Sequence, residues 1–198
     1  MSQPTAICVY CGSNSGRHPE YAEQARAFGA EMARRGITLV YGGGKVGLMG
    51  VVADAVLAGG GTVIGVIPRQ LVELEVAHPR LSELVVVDTM HQRKTRMYEL
   101  SHAFVALPGG FGTMDEMFEM LTWAQLGLHR CPCAFLDVRG YYRDLRTMTE
   151  HMVEEAFVKA KQRDNIWFGD DIPALFEWME HYQSDYVPKW IDPSSVNA

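Results

Sequence analysis

The sequence predicts an α/β fold with one doubly wound parallel sheet flanked by helices. Short, continuously apolar segments of four to six residues alternate with longer segments of helical periodicity along the 198-residue chain. Strands that are apolar throughout are buried on both faces, which is typical of a parallel sheet covered by helices on each side. Glycine-rich turns follow two of these segments directly, and ligands of such sheets bind beyond the carboxyl ends of the strands.

The elements of the first half alternate regularly, and glycine or proline ends most of them. A helix before Gly36 is amphipathic, and a second helix ends in the run Gly59–Gly61. The predicted elements are the strand Thr5–Tyr10, the helix Pro19–Arg35, the strand Ile37–Tyr41, the helix Gly47–Ala58 and the strand Thr62–Ile67.

The second half begins with the loop Pro68–Ser82, in which we expect at most a short helix. Thr89 and Gln92 form a capping-box pattern at the start of the next helix. The predicted elements are the strand Leu84–Val87, a helix through Ser101, the strand Ala103–Leu107, a helix to about Leu126, the strand Cys133–Leu136, the helix Tyr141–Phe157, a short strand Asn165–Phe168 and the helix Ile172–Tyr182.

The length is that of one α/β domain with a substantial core. We therefore expect residues 1–183 to form one domain. Residues 184–198 contain Pro188 and Pro193 and end in polar residues, so we expect a tail that is loosely packed or disordered.

Composition and charge exclude several classes of function. The net charge is −6 and no long basic block is present, which argues against binding to nucleic acid. No apolar run approaches the ~18 residues of a membrane span. The start of the chain lacks the basic and apolar regions of a secretory signal, so we expect a cytoplasmic protein.

The cysteines form two close pairs, Cys8 with Cys11 and Cys131 with Cys133. Four thiols could hold zinc, but a gap of one residue is poor zinc spacing and Cys8 occupies a buried strand position. We expect reduced thiols packed near strands and no metal.

Two loops near the amino terminus suit a ligand. Cys11–Arg17 follows the first strand and contains Gly12 and Ser13. Tyr41–Met49 contains three consecutive glycines, whose backbone N–H groups can point at an anion bound at a helix N-terminus. It matches neither the Walker A motif nor the usual GxGxxG fingerprint. The alternative for the first loop is a plain turn between strand and helix, and the alternative for the second is that its glycines meet a steric need alone.

A third loop, LPGGFGTMDE, runs from Leu107 to Glu116. Its glycines suit phosphate, and Thr113 can donate its hydroxyl to a phosphate. Its acidic residues do not suit an anion. One explanation is structural, because Thr113 and Glu116 match a capping box and Asp115 complements the helix dipole. The other is that Glu116 is catalytic.

The segment His91–Arg96 places cations in the first turns of a helix, where they oppose the helix dipole. This conflict indicates an anionic partner, either a phosphate or Glu116. A solvated charged face is the alternative.

Together these segments resemble the LOG ("Lonely Guy") family of cytokinin riboside 5′-monophosphate phosphoribohydrolases, some of whose members are still labelled lysine decarboxylases. The resemblance implies a Rossmann-like fold, a homodimer and release of a free base, adenine or N6-modified adenine, from a nucleoside 5′-monophosphate, without a cofactor. The matching segments are CVYCGS (Cys8–Ser13), LVYGGGKVGLMG (Leu39–Gly50), VIGVIP (Val63–Pro68), DTMHQRKTRM (Asp88–Met97), ALPGGFGTMDE (Ala106–Glu116) and LTWAQLG (Leu121–Gly127).

The resemblance also implies which residues act on the substrate. Arg93 and Glu116 match the family's catalytic pair. Residues that match substrate contacts, or that belong to the three loops, are Glu75, Lys94, Gly109, Gly110, Phe111, Gly112, Thr113, Met114, Asp115, Thr122, Gly12, Ser13, Gly42, Gly43, Gly44 and Met49.

A nucleoside monophosphate explains why one turn carries both glycines and carboxylates. Its phosphate suits glycine N–H groups, whereas N-glycosidic cleavage develops positive charge on the ribosyl ring, which suits a carboxylate. We expect Glu116 to activate water or stabilise the ribosyl cation. Arg93 would position Glu116 and the ribose hydroxyls and keep Glu116 ionised.

Three other functions remain open at this point. A pyridoxal-phosphate lysine decarboxylase needs a Schiff-base lysine, and Lys45 and Lys94 are the only lysines in the motifs. A non-enzymatic nucleotide or cofactor carrier could use the same fold. A nucleosidase with broad specificity for nucleoside monophosphates is the nearest enzymatic alternative.

The helix after the glycine motif is apolar on nearly every face, so it must be covered on all sides. Pairing with a second copy about a two-fold axis would cover the face that the sheet leaves open. The alternative is a third layer supplied by the C-terminal helix Ile172–Tyr182. The apolar residues are Met117, Phe118, Met120, Leu121, Trp123, Ala124 and Leu126.

Overall fold

The computed structural model describes residues 4–73 and 77–184. Within these ranges the strands follow the predicted segments to within one or two residues at each end. They are β1 (Ala6–Tyr10), β2 (Thr38–Tyr41), β3 (Val63–Pro68), β4 (Glu83–Val87), β5 (Ala103–Ala106), β6 (Cys133–Leu136) and β7 (Ile166–Gly169).

The helices alternate with these strands along the chain. A single 3₁₀ turn, Val138–Gly140, precedes the sixth helix. The helices are α1 (Pro19–Arg34), α2 (Gly47–Ala58), α3 (Arg69–Glu73), α4 (Met90–Glu99), α5 (Phe111–Gln125), α6 (Arg143–Glu154), α7 (Ala160–Asp164) and α8 (Ile172–His181).

The strands form one parallel sheet with the order β4-β3-β2-β1-β5-β6-β7. The predicted α/β, Rossmann-like architecture is therefore confirmed. Strand β1 pairs with β2 on one side and with β5 on the other, and the direction of winding reverses there. A crevice at such a switch point, beyond the carboxyl ends of the strands, is the usual ligand site of this architecture.

The sheet separates two apolar clusters, and alternate residues of β1 belong to different clusters. Ile7 and Val9 pack on the face covered by α1, α2 and α8. Cys8 and Tyr10 pack on the face covered by α4, α5 and α6. Every residue of β1 is buried, which explains why its sequence is apolar without alternation.

Three features differ from the sequence prediction. The motif helix begins at Phe111 rather than at Thr113, with Gly110 as its N-cap. The helix predicted over Tyr141–Phe157 is shorter and ends before Ala156, whose φ of 60° lies in the left-handed region and stops a helix. Helix α7 was not predicted. The loop Pro68–Ser82 contains only the short helix α3, as expected.

The predicted tail falls almost wholly on residues 185–198, which lie outside the described residues. Among the helices that the structure describes, none is both long and apolar enough to cross a membrane.

Candidate functional site

The three predicted ligand loops meet at the switch point of the sheet. The backbone N–H of Gly12 donates to the carbonyl of Pro108 at 3.0 Å, which joins the loop after β1 to the loop after β5. The carbonyl of Gly12 accepts from the N–H of Leu48 at 3.0 Å, which joins the same loop to the start of α2. Backbone hydrogen bonds therefore hold the three loops together as one unit.

Two glycines are required by this close packing. Gly47 has a φ of 60°, and a Cβ there would lie 2.3 Å from the carbonyl carbon of Ser13. A Cβ at Gly109 would lie 2.1 Å from Oγ1 of Thr113 and 2.9 Å from the nitrogen of Gly12. The steric reason for glycine thus applies at these two positions.

Gly110 and Gly112 are different, because a Cβ at either position would meet nothing within 4 Å. Both are exposed at the start of α5. No side chain caps this helix N-terminus, and its first backbone hydrogen bond runs from the N–H of Met114 to the carbonyl of Gly110. The preceding N–H groups of the helix are the donors that a ligand can use.

The capping box predicted for Thr113 and Glu116 is wrong. Because α5 begins at Phe111, Thr113 is already inside the helix, and its buried hydroxyl lies against Gly109. Glu116 is the sixth residue of the helix and cannot reach the N-cap backbone. The sequence favoured a start at Thr113 because glycine disfavours a helix, but Gly112 is inside it.

Glu116 instead faces Arg93 of α4. Nη2 of Arg93 lies 3.4 Å from Oε1 of Glu116, and the two side chains are 11% and 10% exposed. The cation in the first turn of α4, which the helix dipole disfavours, is therefore opposite a carboxylate from the neighbouring helix. The sequence indicated either a phosphate or Glu116 as the anionic partner of this segment, and within the chain the partner of Arg93 is Glu116.

The Gly42–Gly44 turn forms the surface beneath Arg93. A Cβ at Gly42 would lie 2.0 Å from Nη2 of Arg93 and 3.5 Å from Sδ of Met49. Nη1 of Arg93 lies 3.8 Å from Sδ of Met90. The guanidinium is thus confined between the glycine turn and Met90, which fixes the face that it presents to Glu116.

Burial raises the pKa of Glu116 above its ordinary value. Arg93 and Lys94 lower this pKa, whereas Asp115 and Glu119 raise it, and the loss of hydration dominates. The expected effect of Arg93, which favours the ionised form of Glu116, is thus present, but the effect of burial on the pKa is larger. A carboxyl group with a raised pKa is a stronger base than an exposed one once it is ionised.

Nε of Arg93 is buried and has no hydrogen-bond partner in the described part of the chain. A buried donor without a partner costs about 1–3 kcal/mol. An acceptor supplied by a ligand would recover that free energy, so Arg93 is suited to hold a hydroxyl or phosphate oxygen.

Lys94 is less available than Arg93 to bind an oxygen of a ligand. Its Nζ lies 3.3 Å from Oδ2 of Asp115 and 3.3 Å from Oε2 of Glu119, and its side chain is 17% exposed. The lysine therefore joins α4 to α5, and its charge is already balanced within the chain.

The other predicted residues divide by location. Ser13, Phe111 and Asp115 are exposed, and the Phe111 side chain is almost fully exposed. Gly43 and Gly44 are buried in the turn beneath Arg93. Met114 and Gly12 are half-buried beside the α5 N-terminus. Glu75 lies outside the described residues.

Thr122 is not brought to the Arg93–Glu116 pair within one chain. It lies six residues beyond Glu116, about 9 Å along the helix axis, and its hydroxyl donates to the carbonyl of Phe118. It lines a separate cavity of about 240 Å³, which is bordered by Cys133 and Ile166 at the starts of β6 and β7. This cavity is largely apolar and contains no other predicted site residue.

Sequence reasoning missed two tyrosines that hold the glycine motif in place. The hydroxyl of Tyr141 donates to the carbonyl of Gly109 at 2.5 Å, and that of Tyr142 donates to the carbonyl of Leu107 at 2.6 Å. Their position in the sequence was a signal for this contact. They follow β6, the motif follows β5, and the two strands are neighbours in the parallel sheet, so both segments lie at the same edge. The tyrosines were assigned only to a helix.

The cysteines do not converge. Cys8 and Cys11 belong to clusters on opposite faces of the sheet. Burial raises the pKa values of the Cys8, Cys11 and Cys133 thiols, which favours the neutral form. Among the described side chains no group of three or more His, Cys, Asp or Glu residues could hold a metal ion.

Comparison with known proteins adds an independent line of observation. Residues 49–179 match the family described as "Possible lysine decarboxylase". The chain is 46% identical over 180 residues to the cytokinin riboside 5′-monophosphate phosphoribohydrolase LOG7 of Arabidopsis thaliana, which covers 91% of this chain and 83% of the relative. It is 48% identical to the cytokinin riboside 5′-monophosphate phosphoribohydrolase of Rhodococcoides fascians, with 85% and 86% covered.

Solved structures with the same fold are more distant in sequence. The structural-genomics target TM1055 superposes with a TM-score of 0.68 at 19% identity, covering 90% of this chain and 99% of that one. The molybdenum cofactor carrier protein of Chlamydomonas reinhardtii superposes with a TM-score of 0.65 at 18% identity, covering 87% and 93%. At this identity the likeness shows the fold alone.

Proposed function

Because this chain belongs to the LOG family of cytokinin riboside 5′-monophosphate phosphoribohydrolases, we propose that it hydrolyses the N-glycosidic bond of a nucleoside 5′-monophosphate at Arg93 and Glu116. The products would be a free base, adenine or N6-modified adenine, and ribose 5-phosphate. The names of relatives matched over most of their length support this reaction. The observation that carries the proposal is the buried Arg93–Glu116 pair at the switch point of the sheet.

Glu116 would act on the reacting centre. Cleavage of an N-glycosidic bond passes through an oxocarbenium-like state, in which the ribosyl ring gains positive charge. A buried carboxylate stabilises that charge more strongly than an exposed one, because little water screens it. Its raised pKa also suits a general base that removes a proton from the attacking water.

Arg93 would hold both Glu116 and the sugar. Nη2 faces the carboxylate at 3.4 Å, and the buried Nε has no partner among the described residues. A ribose hydroxyl is an acceptor of suitable size for that N–H. Arg93 would thereby orient the ribose against the carboxylate that meets its developing charge.

The N-terminus of α5 would hold the 5′-phosphate. It has free space beside Gly110 and Gly112, no side-chain cap and the positive end of a 15-residue helix. Thr113 would contribute through packing against Gly109, since its hydroxyl is buried there.

The lysine decarboxylase label of the family model finds little support at this site. A Schiff base requires a lysine free to react with the cofactor, but Lys94 lies between Asp115 and Glu119. The other lysine in the motifs, Lys45, is exposed.

Product analysis with a panel of nucleotides tests the proposal. Adenosine 5′-monophosphate and its N6-prenylated analogue are incubated with the protein, and the free bases are separated by chromatography. The corresponding nucleosides, which lack the phosphate, serve as controls. We expect base release from the monophosphates and far less from the nucleosides. Equal turnover of nucleoside and nucleotide would refute the phosphate site, and binding without base release would indicate a carrier.

The proposal extends to a homodimer in the cytoplasm. Helix α5 buries Met117 and Met120 against the sheet, whereas Phe118 and Ala124 of the helix and its C-cap Leu126 remain partly exposed. Helix α8, considered as an alternative cover, buries Leu175, Phe176 and Met179 in the cluster on the opposite face of the sheet. A second copy of the chain is therefore the favoured cover for the remaining face of α5.

A further inference from the structure

His78 is a buried histidine close to the site, and no part of the reaction described above uses it. Its side chain is 3% exposed. Nδ1 accepts a hydrogen bond from the backbone N–H of Arg80 at 3.2 Å. Because Nδ1 is the acceptor, Nε2 is the ring nitrogen that donates to Oδ1 of Asp54 on α2, at 3.3 Å. Both ring nitrogens are occupied, so the orientation of the ring is fixed.

The backbone around His78 is attached to the glycine turn. The N–H of His78 donates to the carbonyl of Gly43 at 2.8 Å, and Ala77 forms an antiparallel bridge with Gly44. From the other side, the hydroxyl of Tyr41 donates to the carbonyl of Gly44 at 3.1 Å. The turn is thus held between β2 and the segment that the His78 ring anchors to α2.

The position of this turn determines where the guanidinium of Arg93 can lie. Gly42 has so little space above it that a Cβ would overlap Nη2 of Arg93. The contact of Arg93 with Glu116, at 3.4 Å, is longer than the 2.7–2.9 Å typical of a strong charge-assisted hydrogen bond. Direct bonding therefore constrains Arg93 only weakly, and packing against the turn has to supply the remaining constraint.

We propose that His78 is a positioning residue for Arg93. Through Asp54 it fixes the segment that supports the Gly42–Gly44 turn, and the turn fixes the guanidinium opposite Glu116. His78 contacts neither Arg93 nor Glu116 in this scheme. The inference rests on the proposed function, because its measurable consequence is the rate of base release at that pair.

The decisive variant is His78→Ala, compared with His78→Gln, in which the amide can still donate to Asp54. We expect His78→Ala to lower kcat by about 10- to 100-fold, as displacements near 1 Å do at catalytic groups, and to change KM less than kcat. His78→Gln should recover most of the loss. A purely structural role would lower thermal stability without changing the kcat of the folded protein.

His151→Ala is the matched control. The His151 ring also lies 3.3 Å from a carboxylate, Glu154, but the pair is exposed on α6. We expect wild-type kinetics from this variant. A second variant, Asp54→Ala, leaves the buried ring in place and removes its acceptor, which also accepts from Nη2 of the exposed Arg80 at 2.8 Å. If His78→Ala fails to fold, a folded Asp54→Ala should still have a lower kcat than the wild type.

The outcomes separate this inference from the proposed function. Absence of base release by the wild-type protein refutes the proposed function. Base release by the wild type, with folded His78→Ala or Asp54→Ala within about twofold of its kcat, refutes only the positioning role. A loss expressed in KM alone also refutes it, because misplacement of Arg93 acts on the reacting complex.

Discussion

Arg93 and Glu116 face each other across the gap between α4 and α5, with Nη2 and Oε1 3.4 Å apart and both side chains nearly buried. Each charge is isolated from water, and each is the main counter-charge of the other. A buried pair of this kind contributes little to stability in general. We infer a chemical role for the pair instead, because it lies beside an open helix N-terminus.

Replacement of Glu116 by glutamine should remove activity and preserve the fold. Glutamine has nearly the same shape and can still accept from Arg93, and no cap is lost because α5 begins at Phe111. We expect kcat to fall by about 10²–10⁴-fold, the usual contribution of general base catalysis. Circular dichroism should be unchanged.

The control for this variant is Glu150→Gln. Glu150 is also paired with arginines, at 3.0 Å and 2.9 Å, but on the exposed surface of α6. It should retain wild-type kinetics. Activity of Glu116→Gln within a few-fold of wild type would show that the carboxylate has no catalytic part.

The activity should decline in acid because of Glu116. Burial raises the pKa of this carboxyl above 4.5, so the ionised form is lost at a higher pH than for an exposed glutamate. We expect kcat to fall as pH decreases through that raised value. In Arg93→Met the decrease of kcat should begin at a higher pH than in the wild type, because Arg93 lowers the pKa of Glu116. If the decrease in Arg93→Met occurred at a lower pH than in the wild type, Glu116 could not be the group that causes it.

The same shift predicts the pH dependence of stability. The folded protein binds the Glu116 proton more tightly than the unfolded chain, so the carboxyl is uncharged at low pH in both states and contributes nothing there. As pH rises above about 4.5, ionisation favours the unfolded chain. The free energy of unfolding of the wild type, measured by urea titration, should therefore decrease relative to that of Glu116→Gln over this range.

Much of the fold and part of the site could be predicted from the sequence, because strand burial and glycine turns are local signals. The strand β1 is apolar in every position since both faces are covered. The conflict between Arg93 and its helix dipole correctly indicated an anionic partner. The glycine turns were correctly placed beyond the strands.

What the sequence could not give depends on contacts between distant segments. The balance between burial and Arg93 at Glu116 requires the packed structure. The carbonyl contacts of Tyr141 and Tyr142 join residues more than 30 positions apart. The start of α5 inside a glycine-rich segment overrides local propensity, because β5 and the crevice fix where the helix can begin.

The protein should be a dimer of twice 22.1 kDa in multi-angle light scattering at micromolar concentration. Leu126→Glu places a charge at the end of the partly exposed face of α5 and should weaken the dimer. Phe157→Glu is the control, because Phe157 is 81% exposed and lies outside α5. A wild-type protein that is monomeric and fully active would overturn this prediction and place the complete site within one chain.

Gly42→Ala should disable the site without unfolding the protein. The new Cβ would lie 2.0 Å from Nη2 of Arg93, so the flexible guanidinium must move away from Glu116, whereas the backbone at residue 42 needs no left-handed conformation. We expect a loss of about 10- to 100-fold in kcat and a free energy of unfolding within about 1 kcal/mol of wild type.

Gly36→Ala should show the opposite pattern and is the matched control. A Cβ at Gly36 meets nothing within 4 Å, but its φ of +68° is strained for alanine. This variant should lose about 1 kcal/mol of stability and keep its kcat, because Gly36 follows α1 at the other end of the strands. Measurement of urea unfolding and base release on both variants separates the two effects. If Gly42→Ala kept full activity, the position of Arg93 could not be what the glycine turn controls.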